Sequence, residues 1–191
     1  MIVPRIVLIC CEGSKTEKLY FEFIIKLYRT TATRTIEVLG KKGQDFHIID
    51  ACAAERKKYS KELAEEEADI ETWAVCDNDN NINYTDLKKY AESKNIKLAF
   101  SQPCFEAYLI QHFAQSKETD KTRLQKELSR KAGQPYNKGN LDWLKALLRD
   151  KPKLIKEAIA NSDRRNNRLK SPFLTVQNLT RRLIDLEPGK K

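Results

Sequence analysis

Residues 6–100 alternate between short apolar segments and longer segments with helical spacing, and this alternation constrains the fold more than any other feature. Ile6 to Cys11 is a continuous apolar run, typical of a strand that is buried on both faces of a parallel sheet. The alternation predicts an α/β fold with a parallel sheet of about four strands and helices on both faces. Besides Ile6 to Cys11, strands are predicted over residues 35–39, 72–76 and 96–100, and helices over residues 16–29, 46–69 and 84–93.

Beyond Pro103 the pattern becomes helical throughout. Pro103 itself is expected in the first turn of a helix, where its missing N–H costs nothing. The organisation predicted from this change is an α/β core over residues 1–115 and a basic helical extension over residues 116–191, packed on the core. Helices are predicted over residues 104–114, 119–132, 141–148, 153–160 and 176–186.

The positive charge of the chain is concentrated near its C-terminus. Residues 1–120 hold 17 Lys and Arg against 20 Asp and Glu, whereas residues 121–191 hold 19 against 7. Such a concentrated excess favours a polyanionic partner, DNA or RNA, although solvation of exposed helices is the alternative. The residues predicted to contact nucleic acid are Arg164, Arg165, Arg168, Lys170, Arg181 and Arg182.

Carboxylates follow two of the predicted strands at the point where each strand ends. Glu12 comes after the first strand, and Asp77 and Asp79 come after the third. In the strand order 2-1-3-4 the first and third strands are neighbours, so these side chains would share one crevice at the carboxyl edge of the sheet. Two such charges about 5 Å apart repel by roughly 3 kcal/mol at an effective dielectric of 20, and a divalent cation removes that cost. The sequence therefore predicts Mg²⁺, with Mn²⁺ as a substitute, at Glu12, Asp77 and Asp79.

Each acidic motif has an ordinary interpretation when it is taken alone. Glu-Gly after a strand is common, and an Asp-Asn-Asp run is a frequent turn. A helix-loop-helix calcium site is excluded, because the twelfth position counted from Asp77 is Lys88 rather than glutamate. The two motifs become specific in combination, at strand ends two strand–helix units apart.

Three further residues near the predicted edge have open roles. Glu106 is either an additional metal ligand or acid/base group, or a carboxylate that interacts with a helix dipole. Lys15 either contacts the scissile phosphate or is a solvated lysine. His112 lies on an apolar helical stripe with Phe105 and Tyr108, which favours a core role over catalysis.

Four segments of the chain form a recognisable set of motifs: Cys11 to Glu17 with Tyr20-Phe21, Cys76 to Asp79, Ser101 to Tyr108 with His112-Phe113, and Ser171-Pro172 with Thr175-Val176. Together they resemble the motifs of RloB-like proteins, a Toprim-related family linked to prokaryotic defence against phage. The resemblance implies a Toprim-like fold, with Glu12 as the acid/base carboxylate and Asp77 and Asp79 as metal ligands. It also implies nuclease activity, often beside a separately encoded ATPase; this chain has no phosphate-binding loop of the GxxxxGK[ST] type.

Composition bears on where the protein works. No apolar run approaches the roughly 20 residues that span a bilayer, and the N-terminal stretch lacks the features of a signal peptide. The five cysteines form no CxxC pair and are expected to be buried free thiols. We therefore expect a cytoplasmic protein without membrane contact. A homo-oligomer is one of the assembly states that we consider.

Two hypotheses of different class follow. The leading one is a metal-dependent nuclease that hydrolyses a phosphodiester of DNA or RNA, with transfer RNA as one substrate that the family context suggests. The alternative is a nucleic-acid-binding or regulatory subunit of an ATPase-containing defence complex that cleaves nothing. Intact acids at Glu12, Asp77 and Asp79 favour the enzyme.

Overall fold

The fold was analysed in a computed structural model, which describes residues 6–13, 15–28, 35–40, 42–43, 45–64, 66, 69–78, 83–165 and 173–187. Its centre is a four-stranded sheet in the order β2-β1-β3-β4, and every neighbouring pair is parallel. The predicted α/β class and strand order are thereby confirmed, and the arrangement matches a Rossmann- or Toprim-like fold. The strands are β1 (Ile6–Cys11), β2 (Thr35–Leu39), β3 (Ile70–Asp77) and β4 (Lys97–Ser101).

Helices cover both faces of the sheet, because alternate residues of each central strand point to opposite sides. Val7 and Ile9 pack into one apolar cluster, and Leu8 and Cys10 pack into the other. The first cluster is covered by α1 and the helices after β4, and the second by α2 and α3. The helices are α1 (Thr16–Leu27), α2 (Asp45–Leu63), α3 (Tyr84–Ser93), α4 (Glu106–Leu109), α5 (Lys121–Ala132), α6 (Asp142–Asp150), α7 (Lys153–Arg165) and α8 (Val176–Asp185).

The C-terminal residues are built into the edge of the sheet. Thr175 donates its backbone N–H to the carbonyl of Phe100 at 2.8 Å, and its hydroxyl accepts the Phe100 N–H at 2.8 Å. Leu174 forms an antiparallel bridge with Ser101. Helix α8 then runs back along β4 and α1, with Val176, Leu179 and Leu183 in the shared apolar cluster. The helical extension therefore completes one face of the α/β core.

The predicted position of Pro103 at a helix start was wrong. Pro103 follows a cis peptide bond and precedes α4, which begins only at Glu106. The chain is still tied to the sheet edge at this point, since the Gln102 N–H donates to the Phe173 carbonyl at 2.9 Å. Helix α3 is capped by Asn83, whose side chain accepts the Thr85 N–H at 2.9 Å.

The cysteine and histidine predictions are confirmed. All five cysteines are free and buried. His112 is fully buried in a 3-10 turn over Ile110–His112 that continues α4. Among the residues that the structure describes, no helix combines the length and apolarity needed to cross a membrane.

Candidate acidic site at the carboxyl edge of the sheet

Glu12 and Asp77 lie side by side at the carboxyl ends of the two central strands. Cys11 of β1 is in register with Val75 of β3, and the Glu12 N–H extends this pairing by donating to the Val75 carbonyl at 2.9 Å. The Glu12 carboxylate turns toward the next residues of β3 and accepts the Asp77 N–H through Oε2 at 3.2 Å. The two residues thus have the proximity expected from the strand order. Asp79, the third predicted ligand, lies outside the described residues.

The surroundings of the Asp77 carboxyl shift its pKa. Its pKa is raised well above its usual value, first by burial and then by the negative charges of Glu17, Glu106 and Glu12. The Ser101 hydroxyl opposes this shift by donating to Asp77 Oδ1 at 2.6 Å. Three neighbouring carboxylates therefore disfavour the charged form of Asp77 at this edge, and a cation would favour it.

Glu17 joins the cluster from the first turn of α1. A Cβ atom added to Gly13 would lie 2.6 Å from Glu17 Oε2, so the carboxylate occupies the space that a side chain at residue 13 would need. Glycine therefore allows the close approach of Glu17 to the turn after β1. Sequence reasoning missed Glu17 as a site residue, although its position inside the Cys11 to Glu17 motif was a usable signal.

Glu106 is held by a loop from the helical extension. Its side chain is 1% exposed at the start of α4. The Tyr136 hydroxyl donates to Glu106 Oε1 at 3.1 Å, and Lys138 Nζ lies 3.4 Å from the same oxygen. Burial lowers the pKa of Lys138, but the charge and hydrogen bond of Glu106, together with the charge of Asp77, raise it overall. Glu106 is therefore placed with the other acids, as one of its two predicted roles requires.

The loop between α5 and α6, residues 133–141, is fixed against the start of α1. The Thr16 hydroxyl donates to the Lys138 carbonyl at 2.8 Å, and the Tyr136 N–H donates to Ser129 Oγ at 2.9 Å. Lys15 is exposed beside this loop, with its Cδ 3.5 Å from where a Cβ of Gly139 would lie. The sequence predicted a break between two helices here and carried no signal that the loop would reach the acidic edge.

The donor chemistry of the edge suits a hard divalent cation. Carboxylate oxygens are the protein ligands that Mg²⁺ prefers, and it commonly takes only one or two of them, with water and substrate phosphate completing the shell. Within the described parts of the chain, no three His, Cys, Asp or Glu side chains form a ready metal cage. Glu12 and Asp77 fit the open type of site, in which part of the shell is left to water and substrate.

Among the described basic residues predicted to bind nucleic acid, Arg182 lies away from the acidic edge. Arg182 donates to both carboxylate oxygens of Glu71, at 2.8 to 3.1 Å. Glu71 stands six residues before Asp77 in β3, which corresponds to about 20 Å along an extended strand. Arg181 pairs with Asp163. Arg182 therefore has a structural role, joining α8 to the opposite end of the sheet.

The other predicted contacts divide between described and undescribed residues. Arg164 is exposed on α7 and donates to Asn161 Oδ1 at 2.7 Å. The side chain of Arg165 and the whole of Arg168 and Lys170 lie outside the described residues. The nucleic-acid role of this group stays a prediction.

A parallel sheet with acidic residues gathered beyond its carboxyl ends defines a Rossmann- or Toprim-like protein with a candidate cation site. The family model described as RloB-like protein matches residues 7–183, so the chain belongs to the RloB-like family. Neither a curated protein nor a solved structure matches the chain.

Proposed function

We propose that this protein is a Mg²⁺-dependent nuclease that hydrolyses a phosphodiester of DNA or RNA at the carboxyl edge of its sheet, with Mn²⁺ able to substitute. One observation carries the proposal: burial and the negative charges of Glu17, Glu106 and Glu12 raise the pKa of the Asp77 carboxyl, which lies beside Glu12 at the ends of the two central strands. Such a cluster is stabilised by a divalent cation, and a metal at an open edge attracts phosphate oxygens. Lys138 beside it adds positive charge that suits an anionic substrate.

The residues at the edge have separable tasks in this proposal. Glu12 and Asp77 would hold the cation, together with Asp79; a cation there would stabilise phosphodiester charge and lower the pKa of a bound water. The Ser101 hydroxyl fixes the Asp77 oxygen Oδ1, and the Asp77 N–H fixes Glu12 Oε2. These two hydrogen bonds hold both carboxylates in place before any ligand arrives.

Glu106 has a different environment from the two proposed ligands. It is buried, accepts a hydrogen bond from the Tyr136 hydroxyl and lies beside the positive charge of Lys138. We assign Glu106 either to proton transfer or to positioning of the substrate at the edge of the sheet. Lys15 is assigned to contact with the scissile phosphate. Glu12 remains the alternative acid/base group if its carboxylate releases the metal.

The family context extends the proposal to a biological setting. RloB-like proteins are the family that the sequence motifs resemble, and that resemblance implies defence against phage in the prokaryotic cytoplasm. A separately encoded ATPase is the partner that it implies. We include both in the proposed function.

The decisive experiment compares wild type with Asp77→Asn on labelled DNA and RNA pools, with and without Mg²⁺ or Mn²⁺. The substitution keeps the shape of the side chain and an acceptor for the Ser101 hydroxyl, but it removes the charge that the cation needs. We expect cleavage by the wild type with metal only, and no cleavage by the variant. Glu157→Gln, at an exposed position on α7, is the matched control and should cleave normally.

Thermal unfolding separates a lost site from a lost fold. Because the variant no longer buries a carboxylate beside three others, its metal-free form should be more stable than the wild type at neutral pH. Added metal should raise the unfolding midpoint of the wild type and leave that of the variant unchanged. Cleavage by pure Asp77→Asn protein would contradict the proposal. Metal-independent binding without cleavage by the wild type would favour the non-catalytic alternative.

A further inference from the structure

The ion pair between Glu106 and Lys138 is unequal in its exposure. The Glu106 side chain is 1% exposed, whereas that of Lys138 is 57% exposed. The carboxylate is also held by Tyr136, whereas the Lys138 side chain starts from an exposed loop and contacts Glu106 only through its terminal nitrogen. One partner of the pair is thus fixed and the other has room to move.

The backbone of Lys138 is anchored independently of this ion pair. Its carbonyl accepts the Thr16 hydroxyl at 2.8 Å, and the turn around it is closed by the Asn140 N–H, which donates to the Asn137 carbonyl at 3.0 Å. The flexible four-carbon stem therefore starts from a fixed point beside α1. Movement of the ammonium group away from Glu106 would leave the loop in place.

A divalent cation and the Lys138 ammonium group would respond to the same negative charge. Glu106 acts electrostatically on Asp77, so a cation held at Glu12 and Asp77 lies in the field of the acid that Lys138 now neutralises. The two positive charges repel each other, and a bound cation weakens the attraction between Lys138 and the edge. A substrate phosphate brought in by the cation would offer the ammonium group a new partner.

We propose that Lys138 is an exchangeable counter-charge of the acidic edge, which holds Glu106 while the metal is absent and contacts a phosphate of the substrate once the metal is bound. This inference rests on the proposed function and adds a substrate-contacting residue from the helical extension to it. It also explains why a loop 30 residues beyond Glu106 is tied by Thr16 to the start of α1.

The test measures Mn²⁺ binding by titration calorimetry, without nucleic acid, for the full-length wild type and for Lys138→Gln. Removing the competing positive charge should tighten Mn²⁺ binding by about fivefold, the effect expected for a single and a double charge about 8 Å apart in a nearly aqueous dielectric. A lysine that merely anchors the loop would give the opposite result, because a disturbed edge binds metal less well. Lys126→Gln, exposed on α5, is the charge-matched control and should bind like the wild type.

Steady-state cleavage with Mg²⁺ supplies the second readout. Lys138→Gln should raise KM several-fold with a smaller change in kcat, and Lys138→Arg, which keeps the positive charge, should restore most of the loss. Unchanged Mn²⁺ affinity together with unchanged KM would overturn the inference while leaving the nuclease proposal intact. Absence of Mn²⁺ binding by the wild type would overturn both.

Discussion

His112 should make the stability of this protein fall as the pH drops below neutral. Its ring is fully buried between the edges of Tyr20 and Tyr108. Nδ1 lies 3.0 Å from the Leu109 carbonyl, which can only accept, so Nδ1 carries the proton and Nε2 accepts from the Tyr20 hydroxyl at 3.1 Å. This arrangement suits the neutral ring and leaves a charged ring without solvation.

The magnitude follows from the pKa of the folded state. Burial lowers the pKa of His112 to about 4, against about 6.5 in the unfolded chain. Between these values the unfolded state binds more protons, so stability is complete above pH 6.5 and is lost as the pH falls toward 4. The full loss is about 3 kcal/mol, of which about 2 kcal/mol falls between pH 7.5 and pH 5.0.

Urea unfolding followed by tryptophan fluorescence at pH 7.5, 6.5, 5.5 and 5.0 measures this loss. His112→Gln removes the titrating ring, so its deficit relative to the wild type should shrink by about 2 kcal/mol from pH 7.5 to pH 5.0. His47→Gln, at the exposed position of the second histidine, should keep the wild-type pH profile. Comparing variants cancels Asp77, whose raised pKa works in the opposite direction over the same acidic range. Parallel profiles for wild type and His112→Gln would refute the reasoning.

Two further predictions concern stability and the site. Arg182→Met should destabilise the fold by about 2 to 3 kcal/mol in urea unfolding, because it leaves Glu71 buried with Lys97 as its remaining cationic partner. A loss below about 0.5 kcal/mol would mean that the ion pair does not stabilise the fold. Gly13→Ala should displace Glu17 and weaken Mn²⁺ binding in calorimetry while changing the unfolding midpoint little, and unchanged metal affinity would separate Glu17 from the site.

The sheet and two of its acids were predictable from the sequence because both depend on short-range patterns. The continuous apolar run at Ile6 to Cys11 indicates a strand buried on both faces, and parallel connectivity puts its carboxyl end beside that of β3. Glu12 and Asp77 each come directly after a predicted strand, so the predicted strands also determined where the two carboxylates would lie.

The remaining part of the site could not be predicted because it depends on tertiary packing. Tyr136 and Lys138 reach Glu106 from a loop whose path is set by how α5 and α6 pack, and local sequence patterns do not encode that path. Glu17 was hidden for a different reason. A glutamate in the first turn of a helix is ordinary, and the folded structure is needed to show its carboxylate beside Gly13 and acting on Asp77.

The charge asymmetry illustrates the limit of counting residues. The excess beyond residue 120 predicted a polyanionic partner for this part of the chain, yet its basic residues are dispersed. Lys138 stands at the acidic edge, Arg182 stands at the other end of β3, about 20 Å away along the strand, and Arg181 pairs with Asp163 of α7. Both arginines already pair with carboxylates of the protein, so their charge is partly used within the fold. For the proposed nuclease, a duplex that touches both ends of the sheet has to extend over about six base pairs at 3.4 Å each. A shorter nucleic acid would contact only the lysines beside the carboxylates, Lys15 and Lys138. The loop after α5, which carries Lys138, would then contribute more to substrate binding than the sequence of the loop indicates.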